Sequence, residues 1–177
     1  MTRPVPGGVR LAGALGLGLG LVPGCSGSFQ DQAGQATAQD WGGPPGTYLE
    51  LIPAGAPDGL PLLVEIGADQ WELRYGETWR TAQELGTVAA SADGDGYRVG
   101  DSLLVPAGLE VGASADGSTI QERGPVETWY GTFEDALTVE VGGGDFRGTA
   151  AFAADVGPIL LAWQGLDWEL AWYEREY

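Results

Sequence analysis

The sequence predicts an all-β (or mainly β) fold, antiparallel, with roughly ten to twelve short strands curved into a half-barrel or closed into a barrel or sandwich. Three observations predict it. From Thr47 onward, apolar residues recur with a period of two. Gly, Asp and Pro break that pattern at short intervals, as turns between neighbouring strands require. The chain also carries 7 Trp, 6 Tyr and 4 Phe, the large side chains that dominate β cores.

The chain opens differently. Arg3 and Arg10 make a cationic start, and residues 11–22 are an apolar run of 12 residues. A membrane-crossing helix needs about 20 apolar residues, whereas roughly 7–15 is the length of a signal-peptide core. The glycines inside the run also argue against a retained helical anchor. Small and aliphatic residues lead into Val22-Pro23-Gly24-Cys25, which holds the only cysteine.

This stretch resembles the lipobox of bacterial lipoproteins, with Val22 where Leu is usual and Pro23 where Ala or Ser is usual. The resemblance implies that residues 1–24 are cleaved and that the Cys25 thiol carries a thioether-linked diacylglyceryl group. It also implies an extracytoplasmic, membrane-anchored protein, held at the outer membrane in a diderm bacterium because Ser26 rather than Asp follows the cysteine. The competing reading is an ordinary signal peptide cleaved elsewhere. Two or more acyl chains make such an attachment durable, at about 0.8 kcal/mol per buried methylene.

Residues 25–46 form the expected lipidated start and tether. Residues 26–46 are small, polar and aperiodic. A flexible chain of that length holds a domain ~25 Å from its anchor. An N-terminal edge strand is the alternative, and Trp41 is placed to dock on the domain.

Residues 47–177 form the expected β domain, of roughly 130 residues, enough for one core. The first strand is expected at 47–52 and the second at 60–66. Trp71, Leu73 and Tyr75 alternate with Gln70, Glu72 and Arg74, as on a half-buried strand. Residues 77–85 read equally as helix or strand, because Gly86 is a helix stop while Thr78, Trp79 and Thr81 suit a strand. Further strands are expected at 85–91, 97–99, 102–105, 109–113, 118–122, 126–130, 135–141 and 146–153. Ile159-Leu160-Leu161-Ala162-Trp163 is a continuous apolar run, and Gln164-Gly165 is a two-residue hairpin connector. In the last strand Leu166, Trp168, Leu170 and Trp172 alternate with Asp167, Glu169, Ala171 and Tyr173.

Two segments in this domain, Gly131-Thr132-Phe133-Glu134-Asp135-Ala136-Leu137-Thr138-Val139 and Phe152-Ala153-Ala154-Asp155-Val156-Gly157-Pro158-Ile159, resemble a pairing seen in bacterial envelope lipoproteins. Some of those are similar to the curved half-barrel of the lipoprotein carrier and receptor (Lol-like) fold. Asp155 stands where Pro or Gly is common. The resemblance implies a fold and not a chemistry.

Composition excludes several functions. The full chain has 8 Lys+Arg, all Arg, against 25 Asp+Glu, a net charge of −17. Cleavage before Cys25 would leave 6 Arg against 25 acids, or −19. Such a surface repels phosphate backbones, so nucleic-acid binding is excluded. At 44% hydrophobic residues the chain is too apolar for a solvated acidic tail. Without His or Lys, the triad hydrolases, imidazole-ligated metals and Schiff-base cofactors lose their residues.

A carboxylate-based glycan-acting enzyme needs two acids about 5–9.5 Å apart. Glu134, Asp135, Asp155, Asp167 and Glu169 are the candidates, although alternation sends Asp167 and Glu169 to the face opposite the tryptophans. Ser91-Ala92-Asp93-Gly94-Asp95-Gly96 resembles the start of a calcium loop, but Ser91 and Ser102 replace its outer carboxylates. No catalytic residue, metal or cofactor is therefore expected. What remains is a candidate apolar ligand face built from Trp71, Trp79, Trp129, Trp163, Trp168 and Trp172, or else a core made of the same residues. The expected partners are the membrane, through lipid on Cys25, and an apolar ligand or an envelope protein. A structural lipoprotein docked on such a protein without a ligand pocket is the competing function.

Overall fold

The computed structural model describes residues 36–175. The expected signal peptide, Val22, Pro23, Gly24 and Cys25, and the tether up to residue 35 lie outside the described residues. The rest is all-β: a short helix precedes one antiparallel twelve-stranded sheet, nearly closed into a barrel.

The helix α1 (Ala38–Gly42) is followed by β1 (Thr47–Pro53), β2 (Leu62–Ile66), β3 (Gln70–Tyr75), β4 (Gln83–Ala92), β5 (Gly96–Val99) and β6 (Ser102–Pro106). Then come β7 (Ser114–Ala115), β8 (Ser118–Glu127), β9 (Thr132–Val141), β10 (Gly148–Ala153), β11 (Gly157–Trp163) and β12 (Leu166–Arg175). Around the sheet the order is β6-β5-β4-β3-β2-β1-β12-β11-β10-β9-β8-β7, so every pairing joins sequence neighbours except that of β1 with β12, and the consecutive strands β6 and β7 are the two edges. Successive connections in such a meander alternate between the two ends of the barrel. Segments 54–61, 76–82, 100–101, 116–117, 142–147 and 164–165 share one end, the mouth. The base carries 67–69, 93–95, 107–113, 128–131 and 154–156, together with α1.

Helix α1 closes the base, which changes the expected extent of the tether. Its start is fixed by the Asp40 carboxylate, which accepts from the backbone N–H and the hydroxyl of Thr37 at 2.6 and 2.9 Å. Trp41 is buried, with the Arg123 guanidinium 5.4 Å from its ring centroid. The Asp40 carbonyl accepts from Asp155 N–H at 3.0 Å. The chain following the helix comes so near β11 that a Cβ on Gly157 would lie 3.1 Å from the Gly42 carbonyl oxygen. At φ +103°, Gly157 also holds a conformation that other residues seldom adopt.

Inward-pointing side chains form one packed cluster. It includes Leu49, Leu51, Val64, Trp71, Val99, Leu104, Ile120, Val139, Phe146, Phe152, Leu161, Trp168 and Leu170. Trp71 donates its indole N–H to the Tyr97 hydroxyl at 2.9 Å and meets the Phe146 ring edge-on. Two fully buried serines tie the mouth loop 142–147 to the rest of the barrel: Ser102 Oγ accepts from Phe146 N–H and Ser118 Oγ from Gly142 N–H, both at 3.1 Å.

Several expected elements differ. Residues 109–113 are loop, with Gly112 N–H given to the Ile120 carbonyl, and only Ser114–Ala115 pairs with β8. The expected strands 118–122 and 126–130 are a single strand β8 ending at Glu127, irregular between Ile120 and Glu122 and between Gly124 and Val126. Residues 77–85 are neither helix nor strand throughout. A helical turn at Thr78–Ala82, where Thr81 and Ala82 N–H share the Thr78 carbonyl, gives way to β4 at Gln83.

The packing can be tested at two buried hydroxyls. Ser102→Ala strands the buried Phe146 N–H, and urea denaturation should show a loss of about 1–3 kcal/mol. Burial pushes the Tyr97 hydroxyl from its ordinary 10.0 up to about 12, against the opposing pull of the Trp71 bond. The folded protein therefore holds that proton more tightly than the unfolded chain, and the stabilisation is complete below pH 10 and lost as pH rises towards about 12. Denaturation midpoints measured across this window should fall in the wild type and fall less in Tyr97→Phe.

Candidate functional site

The six tryptophans expected on one face occupy three places. Trp71, Trp163 and Trp168 are buried at 0%, 8% and 3% exposure. Trp168 donates to the Trp163 carbonyl at 3.3 Å and meets Tyr75 edge-on, so Trp71 and Trp168 fill the barrel while Trp163 tops that filling at the mouth. Trp129 stands at the tip of the β8–β9 hairpin at the base, 64% exposed. Trp79 and Trp172 border one groove on the outside of the barrel.

The outward position of Trp172 has an identifiable cause. β12 pairs with β1 in register from Trp168↔Pro53 to Leu170↔Leu51, and then one residue is skipped, so that Trp172 lies opposite Glu50 and Tyr173 opposite Leu49. The extra residue, Ala171, is a β-bulge, and it exchanges the faces of everything after it. Leu170 points into the core, while Trp172 points out, 42% exposed. Tyr173 turns inward, where its ring centroid lies 5.0 Å from that of Tyr130. The expected single apolar face from Leu166 to Trp172 is therefore broken at the bulge.

Trp79 arrives from the mouth loop 76–82, folded back over the outer face of β1, β2 and β3. Arg74 fixes it there. Its Nη1 donates to the Trp79 carbonyl at 2.9 Å, its guanidinium lies 5.8 Å from the indole centroid, and its Nε donates to Glu72 Oε1 at 2.6 Å. Trp79 and Tyr48 meet edge to face, with centroids 5.3 Å apart and planes at 87°. Tyr48 in turn donates its hydroxyl to Glu65 at 3.2 Å. Tyr48, Trp79, Trp172 and Glu174 enclose a groove of 330 Å³. Glu174 lies opposite Tyr48 in the strand register.

A second concavity, of 530 Å³, lies at the mouth between Leu73, Leu85, Val88 and Trp163 on its apolar side and Asp145, Arg147 and Gln164 on its polar side. Below it the barrel is filled. Leu60, Tyr75, Leu85 and Leu166, all partly exposed, surround the same end.

The acids expected as a possible catalytic pair are dispersed. Asp135 is bound by Arg123 through two bonds, at 2.7 and 2.8 Å, and this hydrogen-bonded guanidinium holds its carboxyl below the usual carboxylate range. Glu134 is its immediate neighbour on an extended strand and projects the other way, while Asp155 sits in the β10–β11 turn at φ +61°. Asp167 and Glu169 pair with Ala162 and Leu160 on the outer face, as alternation predicts. In the Asp93 turn, Asp93 Oδ1 accepts from the N–H groups of Asp95 and Gly96, and Arg98 lies 3.6 and 3.7 Å from Asp93 and Asp95. A guanidinium thus occupies the side of that turn which a bound cation would need. Among the described residues, no group of three His, Cys, Asp or Glu residues is arranged to hold a metal ion.

No family model, curated protein or solved structure matches this chain.

The Arg123–Asp135 pair can be followed by titration. The Asp135 carboxyl should titrate below the usual carboxylate range in carbon-detected NMR, and Arg123→Ala should return it to that range. Because the folded acid is depressed, the pair's contribution is present above the ordinary carboxylate value and disappears as pH falls through the lowered one.

Proposed function

We propose that this chain is a lipid-anchored protein of the bacterial envelope that acts by binding through the outer surface of its barrel, without catalysis. The observation that carries the binding half is the disposition of the large side chains. Inward-pointing aromatics are packed among themselves, while Tyr48, Trp79 and Trp172 are gathered on the outside beside carboxylates. A filled barrel favours docking on a partner over carriage of an acyl chain within it. The anchor half is supported by Val22-Pro23-Gly24-Cys25 after a short apolar run. Dispersal of Glu134, Asp135 and Asp155 favours a binding role over glycan hydrolysis, which needs two acids across one bond.

A second reading, an apolar ligand held at the mouth, draws support from Leu85, Tyr75 and Leu166 at its rim. Mass spectrometry of lipids co-purifying with the protein discriminates: retained lipid favours the mouth, and a bare protein that forms one abundant adduct on crosslinking in intact cells favours docking.

The anchor has its own test. Metabolic labelling with an alkyne palmitate should tag the wild type, and Cys25→Ala should lose the label and leave the membrane fraction. Unchanged partitioning of that variant, or an unlabelled mature wild type, overturns the anchor.

A further inference from the structure

We propose that the outer groove formed by Tyr48, Trp79, Trp172 and Glu174 is a half-open aromatic cage for a trimethylammonium group. The proposal deepens the reading of the outer surface as the working face and does not rest on the anchor.

Three aromatic side chains from separate segments, β1, the 76–82 loop and β12, converge on one 330 Å³ groove that the Glu174 carboxylate also lines. Tyr48 and Trp79 are in contact edge to face at 87°, so they form two perpendicular walls of one corner of the groove. Aromatic faces carry negative electrostatic potential and attract a cation, and the attraction grows when the cation is bulky and weakly hydrated, because little solvation is lost on entry. A quaternary ammonium group meets both conditions. It has no N–H to donate, and the groove's indole and phenol faces demand none.

Charge points the same way. The outer face of β1, β2, β3 and β12 around the groove carries Glu50, Glu65, Glu72 and Glu174, with Arg74 as its cation. Arg74 is bound by Glu72, so its charge is already answered. It lies 5.8 Å from the Trp79 centroid, which shows that this indole already takes a cation against its ring. The chain's net charge of −17 adds a long-range field that concentrates cations and repels anions. An apolar neutral ligand would gain nothing from these carboxylates, and an anion would be rejected by them.

Trimethylammonium reaches a protein either as a free small molecule or as a lipid headgroup, and the cage recognises the feature they share. Free choline chloride, titrated into the full mature chain and followed by isothermal calorimetry and saturation-transfer NMR, tests the first source. Flotation with phosphatidylcholine vesicles, set against phosphatidylglycerol vesicles, tests the second. For free choline we expect a dissociation constant on the order of 1 mM, as suits a half-open cage, weakening as salt is raised.

The neutral isostere 3,3-dimethyl-1-butanol should bind at least about tenfold more weakly than choline, because it keeps the shape and loses the charge. Trp172→Ala and Glu174→Gln, both at exposed positions, should each weaken choline binding about five- to tenfold. Circular dichroism and the denaturation midpoint of both variants should match the wild type. Equal binding of choline and its isostere overturns the proposal, as does unchanged affinity in Trp172→Ala, or the absence of binding in both the choline and vesicle arms. These outcomes leave the palmitate test untouched, and an unlabelled Cys25 with choline binding intact removes the anchor while the cage stands.

Discussion

The pairing of β1 with β12 joins the two halves of the barrel and aligns their inward faces. Each half of the chain is a simple meander, β1 to β6 on one side and β7 to β12 on the other, and only the β1–β12 ladder joins them into one sheet. Side chains alternate strictly along a strand, so this single register decides which residues of both halves enter the barrel. Its bulge at Ala171 assigns Trp172 to the surface and Tyr173 to the Tyr130 ring, so one inserted residue builds the outer aromatic groove. Just past Glu169, where the β11–β12 ladder ends, the Leu170 carbonyl accepts the Tyr130 N–H at 2.9 Å and ties the β8–β9 hairpin tip to β12.

Closure of the sheet rests on a different kind of contact. The edge strands β6 and β7 are not joined by a ladder, and β7 is only two residues long. Side-chain hydroxyls supply part of what the missing ladder would provide, since Ser102 at the start of β6 and Ser118 at the start of β8 each accept a backbone N–H from the β9–β10 loop. Buried donors without partners are costly, so these serines fix where that loop can lie over the mouth. At the other end α1 covers the base, with Trp41 inserted beneath Arg123. A short edge strand with both ends of its barrel covered offers little free ladder to another chain.

Period-two patterning made most strands legible, because burial on one face is a local signal that each strand carries by itself. The run 159–163, the Gln164-Gly165 hairpin and the Trp71-Leu73 alternation all lie where the pattern puts them. Failures cluster where a long-range contact overrides a local signal. Gly124-Pro125 reads as a break between two strands, yet a bulge lets Pro125 stay inside β8 without donating to the ladder. Residues 109–113 carry alternation and still form a loop, because the neighbouring strand pairs only with Ser114 and Ala115. Trp41 lies in a small, polar stretch whose composition describes a linker, and only the barrel base explains its burial. The outer groove was invisible for the same reason. Alternation put Trp172 with Leu170, and nothing local marks Ala171 as the residue that reverses the phase.

The distribution of arginine favours the outer groove over the mouth as the proposed binding surface. Arg74, Arg98 and Arg123 are each held by named carboxylates, and each also organises its surroundings: a tryptophan-bearing loop, an Asp turn and the cover of the base. In a chain this acidic, a guanidinium committed to positioning Trp79 makes that indole a fixed wall rather than a mobile surface side chain. A wall fixed before the ligand arrives loses less conformational entropy on binding. At the mouth, by contrast, Leu85 and Leu166 are partly exposed apolar residues above a filled barrel, with Arg147 and Asp145 together on the polar edge. Opposite charges there offset one another, and among the described residues no such clamp holds a side chain over the basin. The groove has aromatic walls, a surplus of carboxylates over the one guanidinium that clamps its loop, and a wall fixed in advance, the features by which the proposed cage would select a ligand by charge and shape.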